Sequence, residues 1–161
     1  MLNSHAHFDH AGGLAELKQA TGAELYAGRG DSALLARGGK DDFFFRDRLP
    51  YPPATVDRAV ADGDRVVLGR DTLVAVATPG HTRGCTTWSM TVRDRGHAYA
   101  ALFICGLSIP GYQLRDHPPY PGIAADYQAS IRRLQGLPCD AYFEPHGSRF
   151  DLLSKAQRAR I

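Results

Sequence analysis

Three cysteines among 161 residues, none of them in a CxxC pair, are too few and too scattered for a disulfide framework or a thiolate zinc site. Cys85, Cys105 and Cys139 read as separate residues, and the redox compartment stays open. No stretch approaches the roughly 18 consecutive apolar residues of a membrane span. The opening residues lack the basic segment followed by an apolar one that marks a secretion signal. Charge of one sign is missing as well. The 19 basic and 17 acidic residues leave +2, with no Lys/Arg stripe to attract nucleic acid or an anionic membrane. The expected partner is therefore a small molecule. No internal repeat and no low-complexity tract is found. A hydrophobic content of 43% supports one core, and the length is too short to promise two domains.

What is present is an ordered alternation of helix and strand signals. Leu14 to Lys18 spaces apolar residues three apart among good helix formers, and Gly22 is the expected stop. Ala23 to Ala27 reads as a strand. Asp31 or Ser32 is a candidate cap for a helix through Leu34 and Leu35 that ends at Gly38-Gly39. Lys40 to Ala54, with three successive phenylalanines and three prolines, reads as a long irregular connection and a candidate substrate-lining loop. Strands are expected at Arg65 to Leu68, Leu73 to Ala77, Thr86 to Val92, Ala98 to Ile104 and Cys139 to Phe143. Gly106 to Gly122 is a second loop. Ile123 to Leu134 should be an amphipathic helix with Tyr127, Ile131 and Leu134 on one face. This order suits an α/β layered domain.

The strongest chemical signal is Ser4-His5-Ala6-His7-Phe8-Asp9-His10, four potential metal ligands within six residues. On an extended segment His5 and His7 point to one side, while Asp9 and His10 fall on the turn before the helix. Closely spaced histidines with a carboxylate serve no packing need. Two further histidines follow strands: His81 in Thr78-Pro79-Gly80-His81-Thr82, and His146 in Glu144-Pro145-His146-Gly147. Loops presented by a rigid scaffold are the usual place for site residues. Imidazoles with a carboxylate suit Zn²⁺, and the same donors can hold Fe or Mn.

With these motifs in order, HxHxDH, then a PGHT-type histidine, then a histidine near the C-terminal end, the chain resembles the metallo-β-lactamase superfamily. The stretches 2–13, 78–82, 108–112 and 145–146 are most similar to subclass 3 of the class B β-lactamases. The resemblance runs over essentially the whole chain. It implies two Zn²⁺ ions, the first held by His5, His7 and His81 and the second by Asp9, His10 and His146. Three protein ligands each would leave an open position, as in catalytic rather than structural zinc sites. Two ions about 3.5–4 Å apart would share a water of lowered pKa. The implied reaction is opening of the β-lactam ring by metal-bound hydroxide, which is antibiotic resistance, with Asp9 as the catalytic carboxylate that orients the hydroxide.

The strand after the PGHT histidine discriminates among relatives. Glyoxalase II-like thioesterases and lactonases resemble one another in carrying there an Asp that bridges both metals. Here it ends Phe103-Ile104-Cys105-Gly106-Leu107-Ser108, without a carboxylate, as in the subclass 3 enzymes. Two Zn²⁺ held by neutral imidazoles, one carboxylate and a hydroxide would leave the site positive and suited to an anionic substrate. Ser108 and Tyr112 are candidates for binding a substrate carboxylate; a solvated turn serine and a packing tyrosine are the plain alternatives. Gly106 replaces the first serine of the family's Ser-x-Ser pair. Cys105 reads as a buried apolar thiol, with a softer second metal site as the alternative. His97 and His117 read as surface or loop residues, Phe43 to Phe45 and Trp88 as anchors. A thioesterase, a lactonase or an inactive metal-binding fragment are the competing functions.

The family fold implied is an αββα four-layer sandwich. Because His5 comes so early, the expectation is a single partial domain over 1–161, truncated at both ends, with the N-terminal half largely missing. Its opening residues are expected to fray, and Cys139 to lack a disulfide partner. A periplasmic or secreted location follows from the resemblance.

Overall fold

The structure is a computed structural model and describes residues 1–159. Its main element is a five-stranded sheet in sequential order: β3 (Arg65–Leu68), β4 (Asp71–Ala77), β5 (Thr86–Asp94), β6 (His97–Phe103) and β7 (Ala141–Phe143). The first four strands form an antiparallel meander. Short turns suffice for such a meander, and at the β5–β6 turn Arg95 and Gly96 both take positive φ, the backbone of a twist-matched two-residue hairpin. β7 runs parallel to β6, which requires a crossover, and α4 (Ile123–Gln135) supplies it.

A smaller parallel pair, β1 (Tyr26–Gly28) and β2 (Arg58–Val60), lies beside this sheet. Val60, Ala75 and Trp88 are buried together, with Leu2, Tyr26, Val66 and Leu73 packed around them. Short helices α1 (Phe8–Ala11), α2 (Leu14–Thr21) and α3 (Ser32–Ala36) bury Ala11, Leu14, Leu34 and Leu35 against Leu25 and Ala27. A third, aromatic cluster joins the two long loops: Tyr112, Tyr120, Ile123 and Tyr127 pack with Phe43 and Phe44.

Several expectations need correction. β1 begins at Tyr26 rather than Ala23, because pairing starts where Leu2 and Arg58 lie alongside. β2 carries no alternating pattern and was not anticipated; α5 (Leu152–Arg158) also forms. On α4 the buried face is Ile123, Tyr127 and Ser130, while Ile131 is 41% exposed, since Ser130 is held by the Pro79 carbonyl and turns Ile131 outward. The opening residues do not hang free. Asn3 N–H donates to the Tyr26 carbonyl and Tyr26 N–H to that of Met1, Thr86 N–H donates to the Ser4 carbonyl, and the Trp88 indole donates to that of Asn3.

Cys105 is not a free thiol. It forms a buried disulfide with Cys85, Cα atoms 5.7 Å apart, so the reading of three separate cysteines fails and a Cys105 thiolate ligand is excluded. The bond ties the start of β5 to the end of β6. Cys139 is free and exposed.

Candidate metal centre

The segment that bears the first histidines is extended to His7 and then turns at once into α1. Alternation on the extended part sends His5 and His7 to the same side, and the helical turn redirects Asp9 and His10. His81 sits in the loop between β4 and β5, and His146 in the loop after β7. Two strand ends of the sheet thus deliver side chains to one opening cluster.

His5, His7 and His81 are all buried, and their donor atoms lie within 4.8 Å of one another. His7 Nδ1 faces His81 Nε2 at 3.1 Å. Asp9, His10 and His146 form a second trio within the same 4.8 Å limit, but far more open to solvent. There His10 Nε2 and His146 Nε2 are 3.3 Å apart, and an Asp9 carboxylate oxygen lies 3.2 and 3.6 Å from them. The trios adjoin, with the His5 and His10 rings 4.3 Å apart. All six ligand residues expected from the sequence are therefore brought together in two groups of three.

Outer contacts orient these rings. His81 Nδ1–H donates to the Ser108 carbonyl at 2.8 Å, which leaves Nε2 as the lone-pair atom facing His7. His5 Nδ1 lies 3.1 Å from the Ser4 hydroxyl. Tyr51 donates its hydroxyl to the Ala6 carbonyl between the two histidines. Asp42, fixed by the backbone N–H groups of Phe44 and Phe45, faces His7 Nε2 at 3.9 Å.

Burial, reinforced by the neighbouring imidazoles, holds His5 well below the usual histidine range and His7 down to about 3. His81 and His10 are lowered by burial against opposing contributions, the Ser108 carbonyl for His81 and Asp9 for both. These rings are neutral at pH 7 and present lone pairs. His5 Nε2 is buried and meets no hydrogen-bond partner in the protein. A buried, unpartnered nitrogen among converging neutral imidazoles is costly unless a cation takes it, so the donor set fits a divalent metal.

Residues 1–146 match the family model described as "Metallo-beta-lactamase superfamily". The chain belongs to the metallo-beta-lactamase superfamily. Superfamily members are metal-binding hydrolases, and the architecture is the metallo-beta-lactamase fold. A native metallo-beta-lactamase from Legionella gormanii is similar at 42% identity and a TM-score of 0.96, over 99% of this chain and 62% of that one. A subclass B3 metallo-beta-lactamase of Bradyrhizobium japonicum is also 42% identical, TM-score 0.89, over 99% of this chain and 60% of that one. In sequence, a hydroxyacylglutathione hydrolase of Rhodospirillum rubrum is 31% identical over 138 residues, 86% of this chain and 43% of the relative. The chain thus spans less than half the length of that curated relative.

The two residues expected to touch substrate are placed differently. Ser108 lines the cleft beside His5, His81 and His146, half-buried, and its carbonyl accepts from His81 and from the Tyr127 hydroxyl. Tyr112 is 6% exposed, with its hydroxyl donated to the His81 carbonyl at 3.0 Å. His117 packs on Phe43 in the aromatic cluster. Sequence reasoning passed over Arg149, on the cleft wall three residues after His146, and Asp42. It also read Asp31 only as a cap. Asp31 caps nothing with its side chain. Burial pushes it up to about 6 against three hydrogen bonds, from Thr82, Gly84 and Ala6, so it is a carboxylate at neutral pH.

Proposed function

We propose that this chain carries the catalytic centre of a zinc-dependent hydrolase that opens β-lactam rings. His5, His7 and His81 would hold one ion and Asp9, His10 and His146 a second, three protein ligands each. Bound there, the ions would supply Lewis acidity and a water acidic enough to act near neutral pH. Asp9, whose carboxylate meets both His10 and His146, would help orient such a water towards the ring carbonyl. The amide C–N bond breaks, the carbonyl carbon gains the water oxygen, and the ring nitrogen ends protonated.

The observation that carries this reading is the pair of adjoining trios together with 42% identity to B3 enzymes over nearly the whole chain. The strand end where thioesterase-type relatives are expected to carry a bridging aspartate supports it. Here the strand end from Phe103 to Ser108 holds no carboxylate, and its Cys105 is locked in the disulfide. Ser108 and Arg149 line the cleft and would be the groups to meet a substrate carboxylate. Tyr112, whose hydroxyl is committed to the His81 carbonyl, contributes by holding that loop. A buried disulfide also suits an oxidising compartment, periplasmic or extracellular. A second reading, thioester hydrolysis, is favoured by the hydroxyacylglutathione hydrolase relative.

The deciding experiment loads the chain with zinc, counts bound ions, and compares turnover of a chromogenic cephalosporin with that of a glutathione thioester, beside a His81→Ala control. Two ions and faster cephalosporin turnover are expected. Faster thioester turnover selects the second reading. Zinc binding without either turnover leaves a metal-binding protein and ends the hydrolase assignment for this chain.

A further inference from the structure

Asp31 sits at the start of α3 and is 1% exposed. One carboxylate oxygen accepts the Ala6 N–H at 2.9 Å and the Thr82 hydroxyl at 2.6 Å; the other accepts the Gly84 N–H at 2.8 Å. These donors come from two distant segments. Ala6 lies between His5 and His7, and Thr82 follows His81 directly. One ionised side chain thus closes the gap between the two stretches of backbone that carry the buried trio.

The close approach leaves no substitute. A Cβ built on Gly84 would lie 2.2 Å from the Asp31 backbone nitrogen, and one on Gly30 would lie 2.6 Å from the Arg83 carbonyl oxygen. The backbone at Gly30-Asp31 thus lies directly against that at Arg83-Gly84, which fixes the carboxylate beside the His81 loop. Charge-assisted bonds to a buried carboxylate are about twice as strong as neutral ones, and a lost acceptor leaves a buried N–H unpaired. Asparagine cannot replace it: its single carbonyl oxygen serves one side, while its NH2 meets a backbone N–H on the other.

We infer that Asp31 is a positioning residue of the buried metal trio, holding the His5–His7 segment against the His81 loop so that His7 Nδ1 and His81 Nε2 converge. The inference rests on the metal-binding reading proposed above. Among the hydrogen bonds of the described residues, none ties the Asp9–His10 turn to the His146 loop by a comparable third residue. The effect of losing Asp31 is therefore confined to one of the two ions.

The test measures zinc affinity of the full chain by competition with a chromophoric chelator, together with the visible absorption of the Co²⁺-loaded form. Far-UV circular dichroism checks folding. Asp31→Asn should weaken the ion held by His5, His7 and His81 about 10- to 100-fold, the range for groups that orient metal ligands, and alter the Co²⁺ bands, with the ion at Asp9, His10 and His146 unchanged. Thr82→Val removes one of the three bonds and should give a smaller loss in the same direction, while Thr82→Ser keeps the hydroxyl and restores wild-type affinity. A folded Asp31→Asn protein with wild-type affinity and spectrum overturns the inference, as does equal weakening of both ions. If Asp31→Asn does not fold, the Thr82 pair decides, and equal affinities of Val and Ser overturn it. Wild-type protein that holds no metal removes this inference and the proposed function together, whereas an intact wild type beside a normal Asp31→Asn removes this inference alone.

Discussion

The two trios differ in how much structure stands behind them. His5, His7 and His81 are each at most 7% exposed; Ser4 meets His5, the Ser108 carbonyl meets His81, and Asp42 faces His7 at 3.9 Å. Asp9 and His146 are exposed and His10 half-buried, and their short contacts are mainly with one another. A three-histidine set is therefore presented by a rigid wall, and an aspartate with two histidines by a turn and a loop. Preorganised ligands bind without ordering cost, so the buried trio should hold its ion more tightly.

The largest effect that tests this contrast is removal of a buried ligand. His81→Ala should abolish the tight ion and lower hydrolysis by more than about 1,000-fold, as expected when a metal that supplies the nucleophile is lost. Zinc counting beside steady-state kinetics reads both. Retention of two tightly bound ions would break the contrast outright.

Next comes the disulfide, which ties β5 to β6 immediately behind His81 and encloses a loop with a sequence separation of 20 residues. Losing it through Cys85→Ser with Cys105→Ser should cost about 3 kcal/mol of stability, by denaturant unfolding, through the extra freedom of the unfolded chain. His146→Ala, on the open trio, should weaken only the second ion, by about 100-fold, and leave the first in place. Equal losses at both ions would show that the trios act as one unit.

How much of this could be read beforehand depends on whether a residue's role is local. The HxHxDH cluster is legible because three histidines and an aspartate within six residues have no packing purpose, and β3 is legible from Arg65 to Leu68 because β-branched residues stand there between turns. Asp31 is not, because an aspartate before Ser-Ala-Leu-Leu has the same local signature whether it caps α3 or serves donors 25 and more residues away. Nor is the Cys85–Cys105 pair, whose proximity arises only when β5 and β6 align. Ile131 misled for a similar reason: the α4 face is set by what Pro79 and the aromatic cluster present to it, not by periodicity alone.

A milder probe is pH. Burial lowers His5, His7, His10 and His81, with His7 reaching about 3. Between about pH 3 and pH 6.5 these histidines then bind more protons in the unfolded chain than in the folded one, an effect that Asp31, pushed up to about 6, offsets only in part. Stability of the metal-free chain should rise with pH across that window and be lost as pH falls below about 6.5, by up to about 1.4 kcal/mol per pH unit for each buried imidazole. Urea unfolding at several pH values measures it. A flat profile would mean that the buried rings are solvated, and the rigid wall would lose its basis.

The smallest expected effect lies on the open side of the site. Arg149 is exposed on the cleft wall near His146, so its attraction for a substrate carboxylate is screened by water and opposed by the freedom of a long side chain. Exposed pairs of this kind are worth about 0–1 kcal/mol, which corresponds to a change of at most about fivefold. Arg149→Ala should therefore raise KM for a carboxylate-bearing β-lactam by a few-fold, leave kcat and both zinc affinities unchanged, and lose its effect at high salt. A kcat defect instead would place Arg149 among the groups that stabilise the reacting atoms, and the division between a chemical wall and a recognition rim would have to move.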